Sequence, residues 1–491
     1  MPLSTKTSWG CLPSEIRLII LEVLLQDGCS LARLATVSRE WQAIIERHNF
    51  ARIKLTPSRL ANFNSMIHRN QALVSYIWLS LELQEYDCTR CAPNDLEEWG
   101  DSNTDNILIV TAIQDLFSSL SSWKPYGSLV LDISVYSPSD SKHWFKYLTF
   151  GPDISSGELK QDRHIQKPIL SEFDDTKHGW IAGSQESHPS AMAMERVFDE
   201  IMGEGPFDDD EQENQWWLQL PLVPVVTGVL LRQQSRRRWK PKALSHMFSR
   251  FSRLQEIHYE PWMEWDDAQQ MWTDESYRSL FKQFSSYKLR RLVVFENFNQ
   301  RYRQNRLYCA PIRIPTLDVS QTLASATLEI EHLSASFIVD AGHFFSTCKP
   351  SWGWPNLISL TLTSQLLTPD ESTIEINDML QGAAIVAMRM PNLQTMEIWN
   401  GRKGLAALFK YQSISYGGYG QRAEITWRGT WGCALNPSVI RAWEAEFLDV
   451  GVVKSHGDAV YYLNLSNTVI RPLSLQQIRM ENRIVEGAHD W

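Results

Sequence analysis

A short apolar phrase that returns at long intervals constrains the fold of this chain more than any other feature. The pattern apolar-x-x-apolar-x-apolar occurs at Phe50/Ile53/Leu55, Val74/Ile77/Leu79, Tyr126/Leu129/Leu131, Leu254/Ile257/Tyr259, Leu289/Leu292/Val294, Leu357/Leu360/Leu362 and Leu393/Met396/Ile398. The last two lie in the closely similar strings WPNLISLTL and MPNLQTMEI. In a chain that is 43% apolar a single match is cheap, so the phrase gains weight only from a companion feature. That companion is an amphipathic helix. Leu244, Met247, Phe248 and Phe251 precede one copy, and Tyr277, Leu280, Phe281 and Phe284 the next, both sets at i, i+3, i+4, i+7. Ile109, Ala112, Ile113, Leu116, Phe117 and Leu120 form a third such helix, and Leu60, Phe63 and Ile67 a weaker one. From Leu254 to Leu289, and again from Leu357 to Leu393, the step is about 35 residues, with an imperfect copy at Ile330, Leu333 and Ala335 between them.

A strand and a helix of this size cannot hide their apolar faces alone, so neighbouring units must stack and their strands must line one curved surface. The step exceeds the roughly 20–29 residues of a standard leucine-rich repeat, and the asparagine position of that repeat is missing. The expected fold is therefore an irregular α/β solenoid that resembles divergent leucine-rich repeats. Residues 151–213 break the pattern: rich in Gly, Ser, Asp, Glu and His and ending in GPFDDDEQE, they read as an acidic, partly mobile insertion with one docking helix at 191–201. After residue 405 a Gly-rich turn, a strand at AEITW and a helix bearing Val439, Ala442, Trp443 and Phe447 are expected to cap the stack.

The first fifty residues carry a different pattern. Ile16, Ile19, Ile20, Val23 and Leu24 fall at helical spacing; Ser30 can cap a second short helix with Leu31, Leu34 and Ala35, and Ser38 a third with Trp41, Ile44 and Ile45. Three short helices in about forty residues expose more apolar surface than so small a core can cover, so the module must pack against something else. Leu12-Pro13, Glu15-Ile16, Ile20-Leu21, Leu24, Leu34-Ala35, Val37 and Trp41 stand in the order and spacing of the F-box, and residues 11–55 resemble that family. Ser38, where many members have Cys, and the Asp27-Gly28-Cys29 turn, which lacks the commoner proline, are departures that leave the apolar anchors in place. The resemblance implies docking to a Skp-type adaptor, and through it to a cullin, by Leu12, Pro13, Ile16, Ile20, Leu24, Leu34, Val37 and Trp41. The layout as a whole resembles a fungal type of F-box protein. A helix-turn-helix is disfavoured because Glu40 and Glu46 offset Arg39 and Arg47 on the third helix.

Charge and cysteine content narrow the partners. Forty-seven Lys and Arg against 57 Asp and Glu leave a net charge of −10, which disfavours a general nucleic-acid binder. Seven cysteines in 491 residues point to a reducing compartment, and a cytoplasmic or nuclear location is expected. The stretch Asn214–Leu231 is diluted by Pro221, Pro224 and three amides, so no membrane span is expected.

Motifs for chemistry are sparse. Cys88 and Cys91 form CTRC, but a structural zinc needs four ligands and no second CxxC or nearby His pair follows, so no metal or other cofactor is expected. GYGQRA matches a dinucleotide fingerprint only as text, since a strand rather than a helix follows Gly418 and Gly420. RRRWKPK, with Arg236, Arg237, Arg238, Lys240 and Lys242, reads as a solvated loop, with an import signal or an anion site as the alternatives. No Walker loop, GxSxG elbow, HExxH or kinase set is present, and no catalytic residue is assigned. Among the 20 tryptophans, Trp262, Trp265 and Trp399 follow the strand phrase and are the candidate anchors for a target protein. The expected organisation is an F-box at 11–55, helix-strand repeats at 56–150, the insertion at 151–213, the solenoid at 214–405 and a capping region at 406–491. Its expected function is non-catalytic: a substrate-recognition subunit of a cullin-based ubiquitin ligase, with a repeat scaffold outside any ligase as the alternative and an enzyme of unrecognised site third.

Overall fold

The computed structural model of the chain describes residues 9, 12–26, 31–92, 102–145, 174–181, 184–203, 205–298, 313–402, 405–415, 421–431, 435–446 and 450–456. Helix α1 (Ser14–Gln26), a 3-10 turn at Leu31–Thr36 and helix α2 (Arg39–Ala51) form the N-terminal module. Helix α2 starts where Ser38 accepts a hydrogen bond from the backbone N–H of Trp41, and runs directly into strand β1 (Arg52–Leu55).

From there strands and helices alternate. Strands β2 (Tyr76–Glu82) and β3 (Leu129–Tyr136) are separated from their predecessors by α3 (Pro57–Leu60), α4 (Phe63–Ile67) and α5 (Asn103–Ser121). A short hairpin, β4 (Trp180–Ile181) and β5 (Ser184–Gln185), is followed by α6 (Ala191–Phe198), α7 (Asp210–Gln219) and β6 (Val226–Leu231). Then come α8 (Pro241–Ser249), β7 (Glu256–Tyr259), α9 (Asp267–Phe284), β8 (Arg291–Phe295), α10 (Leu317–Ala326), β9 (His332–Asp340), α11 (Ala341–Ser346), β10 (Ser359–Thr363), α12 (Thr373–Ala387) and β11 (Thr395–Arg402). Strands β12 (Leu405–Ser415) and β13 (Gln421–Gly429), helix α13 (Pro437–Glu446) and strand β14 (Val450–His456) complete the described chain.

Twelve of these strands form one sheet in chain order, omitting only β4 and β5. Pairing is parallel from β1 through β11, antiparallel between β11, β12 and β13, and parallel again to β14. The architecture is thus mixed α/β around one long sheet. Its register places a single apolar row across the strands: Ile53, Ile77, Leu131, Val229, Ile257, Leu292, Leu333, Leu360, Met396, Tyr411 and Ile425 are successive partners. The inward faces of α5, α8, α9 and α12 join that row in one core. On the opposite face the corresponding row reads Lys54, Trp78, Asp132, Leu230, His258, Val293, Ser334, Thr361, Glu397 and Lys410, a mixed polar sequence. Period-two alternation gathers apolar side chains on the helix-covered face and places the polar ones, interspersed with Trp78, Leu230 and Val293, on the other.

Two details depart from the sequence reading. Ile77 pairs with Leu131, not with Leu129, so the phrase beginning at Tyr126 is two residues out of register. A slip of two keeps the same side chains on the same face, which is why the pattern alone does not detect it. The second detail is β6, every residue of which is buried. Val226, Val229 and Leu231 obey the repeated phrase, but the phrase was hidden inside the long uncharged stretch Asn214–Leu231. That stretch is divided among the end of α7, a proline-containing turn and β6, and among the described residues no helix is long and apolar enough to cross a membrane. Through β6 the sheet continues directly from β3, so the insertion leaves the strand ladder unbroken.

Candidate functional site

The N-terminal module carries apolar side chains on the wrong side for an isolated bundle. Leu21 and Ile45 are buried within it, yet Ile16, Ile19 and Val23, one stripe of α1, stand exposed, as does Val37 at 60%. Trp9 and Trp41 pack with ring centroids 5.0 Å apart, and Glu40 accepts hydrogen bonds from the Trp9 indole at 3.1 Å and the Arg17 guanidinium at 3.2 Å. These contacts tie α1 to α2 and leave the stripe outward. Of the positions assigned to adaptor contact, Pro13, Ile16 and Val37 are exposed, while Leu12, Ile20, Leu24, Leu34 and Trp41 are half-buried.

The tryptophans assigned to target binding fare differently. Trp265 and Trp399 keep 2% and 3% of their surface and are core residues, the first beside Phe198, the second against Phe295 and Phe337. Trp262 is half-buried, its indole N–H donating to the Gln233 carbonyl at 2.7 Å and its ring edge-on to Phe198. A side chain already packed on its own fold offers little surface to a partner, so Trp265 and Trp399 are withdrawn as anchors. An exposed aromatic is instead Trp272 on α9, 67% exposed and missed because it lies in the helix rather than beside the strand phrase.

Trp272 borders a cavity of about 510 Å³ between the starts of α7, α8 and α9, lined also by Asp199, Glu200, Glu213, Arg238 and Lys240. Burial holds the carboxyls of Asp199 and Glu200 above their usual range. Burial alone would lower the Lys240 ammonium, but the Glu213 carboxylate 3.1 Å away reverses the sign and holds it above the usual lysine range.

The basic run is not a solvated loop. Arg236 and Arg237 are buried. Arg236 donates to the Asp140 carbonyl at 2.9 Å and the Phe145 carbonyl at 2.7 Å, Arg237 pairs with the Asp140 carboxylate, and Arg238 bonds the Phe198 carbonyl and Glu264. Arg236 and Arg237 thus fasten the loop after β3, and Arg238 the end of α6, to the segment between β6 and α8.

Arg236 thereby clamps both sides of His143, and here the structure overturns the ligand count read from sequence. The CTRC turn after β2 brings Cys88 and Cys91 beside His143, which follows β3, and His178, which precedes the β4–β5 hairpin. Cys88 Sγ and Cys91 Sγ lie 3.2 and 3.4 Å from His178 Nε2. The ligand atoms of all four residues fall within 4.8 Å of one another, and these are the side chains of the described chain that could hold a metal ion. His178 Nδ1 is bonded to the Asp175 carboxylate at 2.8 Å, and the His143 ring lies between Tyr86, 5.7 Å away, and His178, 4.9 Å away. CTRC was visible in the sequence; the two histidines were not, because His143 and His178 carry no motif of their own.

The glycines Gly418 and Gly420 of the text-only fingerprint lie outside the described residues, and β13 rather than a helix follows them. Residues 285–471 match the model of a family of unknown function, DUF6546, which spans β8 to beyond β14. No curated protein matches the chain.

Proposed function

We propose that the chain is the substrate-recognition subunit of a cullin-based ubiquitin ligase, with residues 11–55 acting as an F-box on a Skp-type adaptor and the remainder acting as an irregular leucine-rich-repeat-like solenoid. The observation that carries this reading is the outward apolar stripe Ile16, Ile19 and Val23 of α1, together with the exposed Val37 ahead of α2, on a module otherwise fastened to the first strand of the sheet. Exposed apolar side chains grouped in this way mark an interaction surface. Helices of an adaptor would cover them, and any transfer of ubiquitin would be the work of other subunits.

The target-binding part of the reading moves to the cavity bordered by Trp272, where an exposed aromatic sits among paired charges at the helix-start rim. Adaptor capture by the full-length protein tests the proposal. Leu12→Ala with Pro13→Ala, or Val37→Asp, is expected to reduce capture at least tenfold while the far-ultraviolet circular dichroism stays that of the parent. Equal capture by parent and both variants would contradict it and favour a repeat scaffold whose first helices merely cap the sheet.

A further inference from the structure

Two thiols and two imidazoles from three separate stretches of chain do not meet in one half-buried spot without a reason. We propose that Cys88, Cys91, His143 and His178 bind one zinc ion, which staples the β4–β5 hairpin to the loops that follow β2 and β3.

Two edges of the cluster fit a tetrahedral site, and all four ligand atoms lie within 4.8 Å of one another. With Zn–S near 2.3 Å and Zn–N near 2.0–2.1 Å, the S···N edge of such a tetrahedron is roughly 3.5 Å. The two edges from His178 Nε2 measure 3.2 and 3.4 Å. The donor set selects among metals: thiolate with imidazole suits zinc, whereas magnesium and calcium take oxygen ligands. Asp175 supplies the outer support expected of a ligating histidine, since its carboxylate on Nδ1 turns the Nε2 lone pair toward the two sulfurs. The CTRC turn is preformed, Asp87 accepting from the Thr89 N–H at 2.9 Å. The residues flanking His143 are gripped by Arg236, and the Gln185 amide reaches the Trp144 carbonyl at 3.0 Å.

Four protein ligands fill a tetrahedron and leave no position for water or substrate, so the ion is structural. A hairpin with two residues in each strand is too short to stand alone, and the metal would supply what its core cannot. This assignment is independent of the ligase reading, because it concerns stability of the insertion and not adaptor capture.

The test is the metal content of the full-length protein, purified under reductant, supplied with zinc and then desalted. One zinc per chain is expected, and replacement by cobalt should give the intense visible bands of a tetrahedral thiolate site. Cys91→Ser and His178→Ala should lose the bound zinc; Cys348→Ser, a thiol elsewhere, should retain it. His143→Cys keeps four ligands and should also hold zinc, with stronger sulfur-to-cobalt absorption. A parent protein that takes up no stoichiometric zinc, or whose Cys88 and Cys91 are joined in a disulfide under the same reductant, would overturn the assignment. So would full zinc content in Cys91→Ser. Should the variants fail to fold, the parent's stoichiometry and cobalt spectrum decide the matter alone.

Discussion

At the scale of single residues, the least expected assignment is the fate of Arg236, Arg237 and Arg238. A run of positive charge ordinarily faces water. Here each guanidinium finds carbonyls or carboxylates far away in sequence; Arg236 reaches acceptors 96 and 91 residues distant. Its backbone sits at φ 55°, a conformation unusual for a side chain of this size, which the buried bonds must outweigh. Arg236→Leu would strand two buried carbonyls at about 1–3 kcal/mol each. Thermal melting should register that loss as a lower Tm, and a melt superimposable on the parent's would show that the clamp contributes nothing. Arg313, bonded to both Glu296 and Asp274 in the interior, makes a companion case. Arg313→Met leaves two buried carboxylates uncompensated and should cost about 3–5 kcal/mol in urea unfolding. None of these pairings was legible, because the partners share no local pattern. The same limit hid the Cys/His cluster: Cys88 and Cys91 announce themselves three residues apart, whereas His178 stands 90 residues from Cys88.

At the scale of elements, the periodic signals were legible and the isolated ones were not. The helices bearing Leu244, Met247 and Phe248, or Leu280, Phe281 and Phe284, bury those faces against the sheet. The phrases around Leu357 and Leu393 became β10 and β11 in register, Leu360 opposite Met396. Both side chains are fully buried in the central row. Leu360→Asp or Met396→Asp would place an unpaired carboxylate there, and loss of the cooperative unfolding transition is the expected result. Trp399→Ala is expected to lower stability by about 3–5 kcal/mol, the range for truncating a buried aromatic. A variant that kept full stability but lost a binding activity would reinstate Trp399 as an anchor. Strand β6 escaped notice because burial on both faces removes the alternation that marks a strand, and a continuous apolar run is equally compatible with a helix. Helix α1 taught the converse lesson: its spacing gave the helix, but which apolar stripe faces inward depends on Trp9, Arg17 and Glu40.

For the whole molecule, one sheet running in chain order explains why an insertion as long as 151–213 is tolerated. Strand β3 pairs with β6 across it, so the ladder is continuous and the insertion can be fastened from outside by Arg238 at Phe198 and by the Cys/His cluster at His178. The N-terminal module sits at the other extreme of the design, joined through α2 to the first strand and carrying its spare apolar surface outward. On the proposed reading the labour divides, with one end to dock, the sheet to hold shape, and the cavity bordered by Trp272 to meet a target. Trp272→Ala should weaken target capture with adaptor capture unchanged; parallel loss of both would assign Trp272 to stability instead.

The most direct test of the central claim is the affinity of the purified full-length protein for a purified Skp-type adaptor, measured by calorimetric titration alongside Ile16→Asp with Val37→Asp. The account predicts a one-to-one complex for the parent and, because charged groups would replace desolvated apolar contacts, at least a hundredfold weaker binding for the double variant, about 3 kcal/mol. Absence of measurable binding by a correctly folded parent, or equal affinity for parent and double variant, would contradict it.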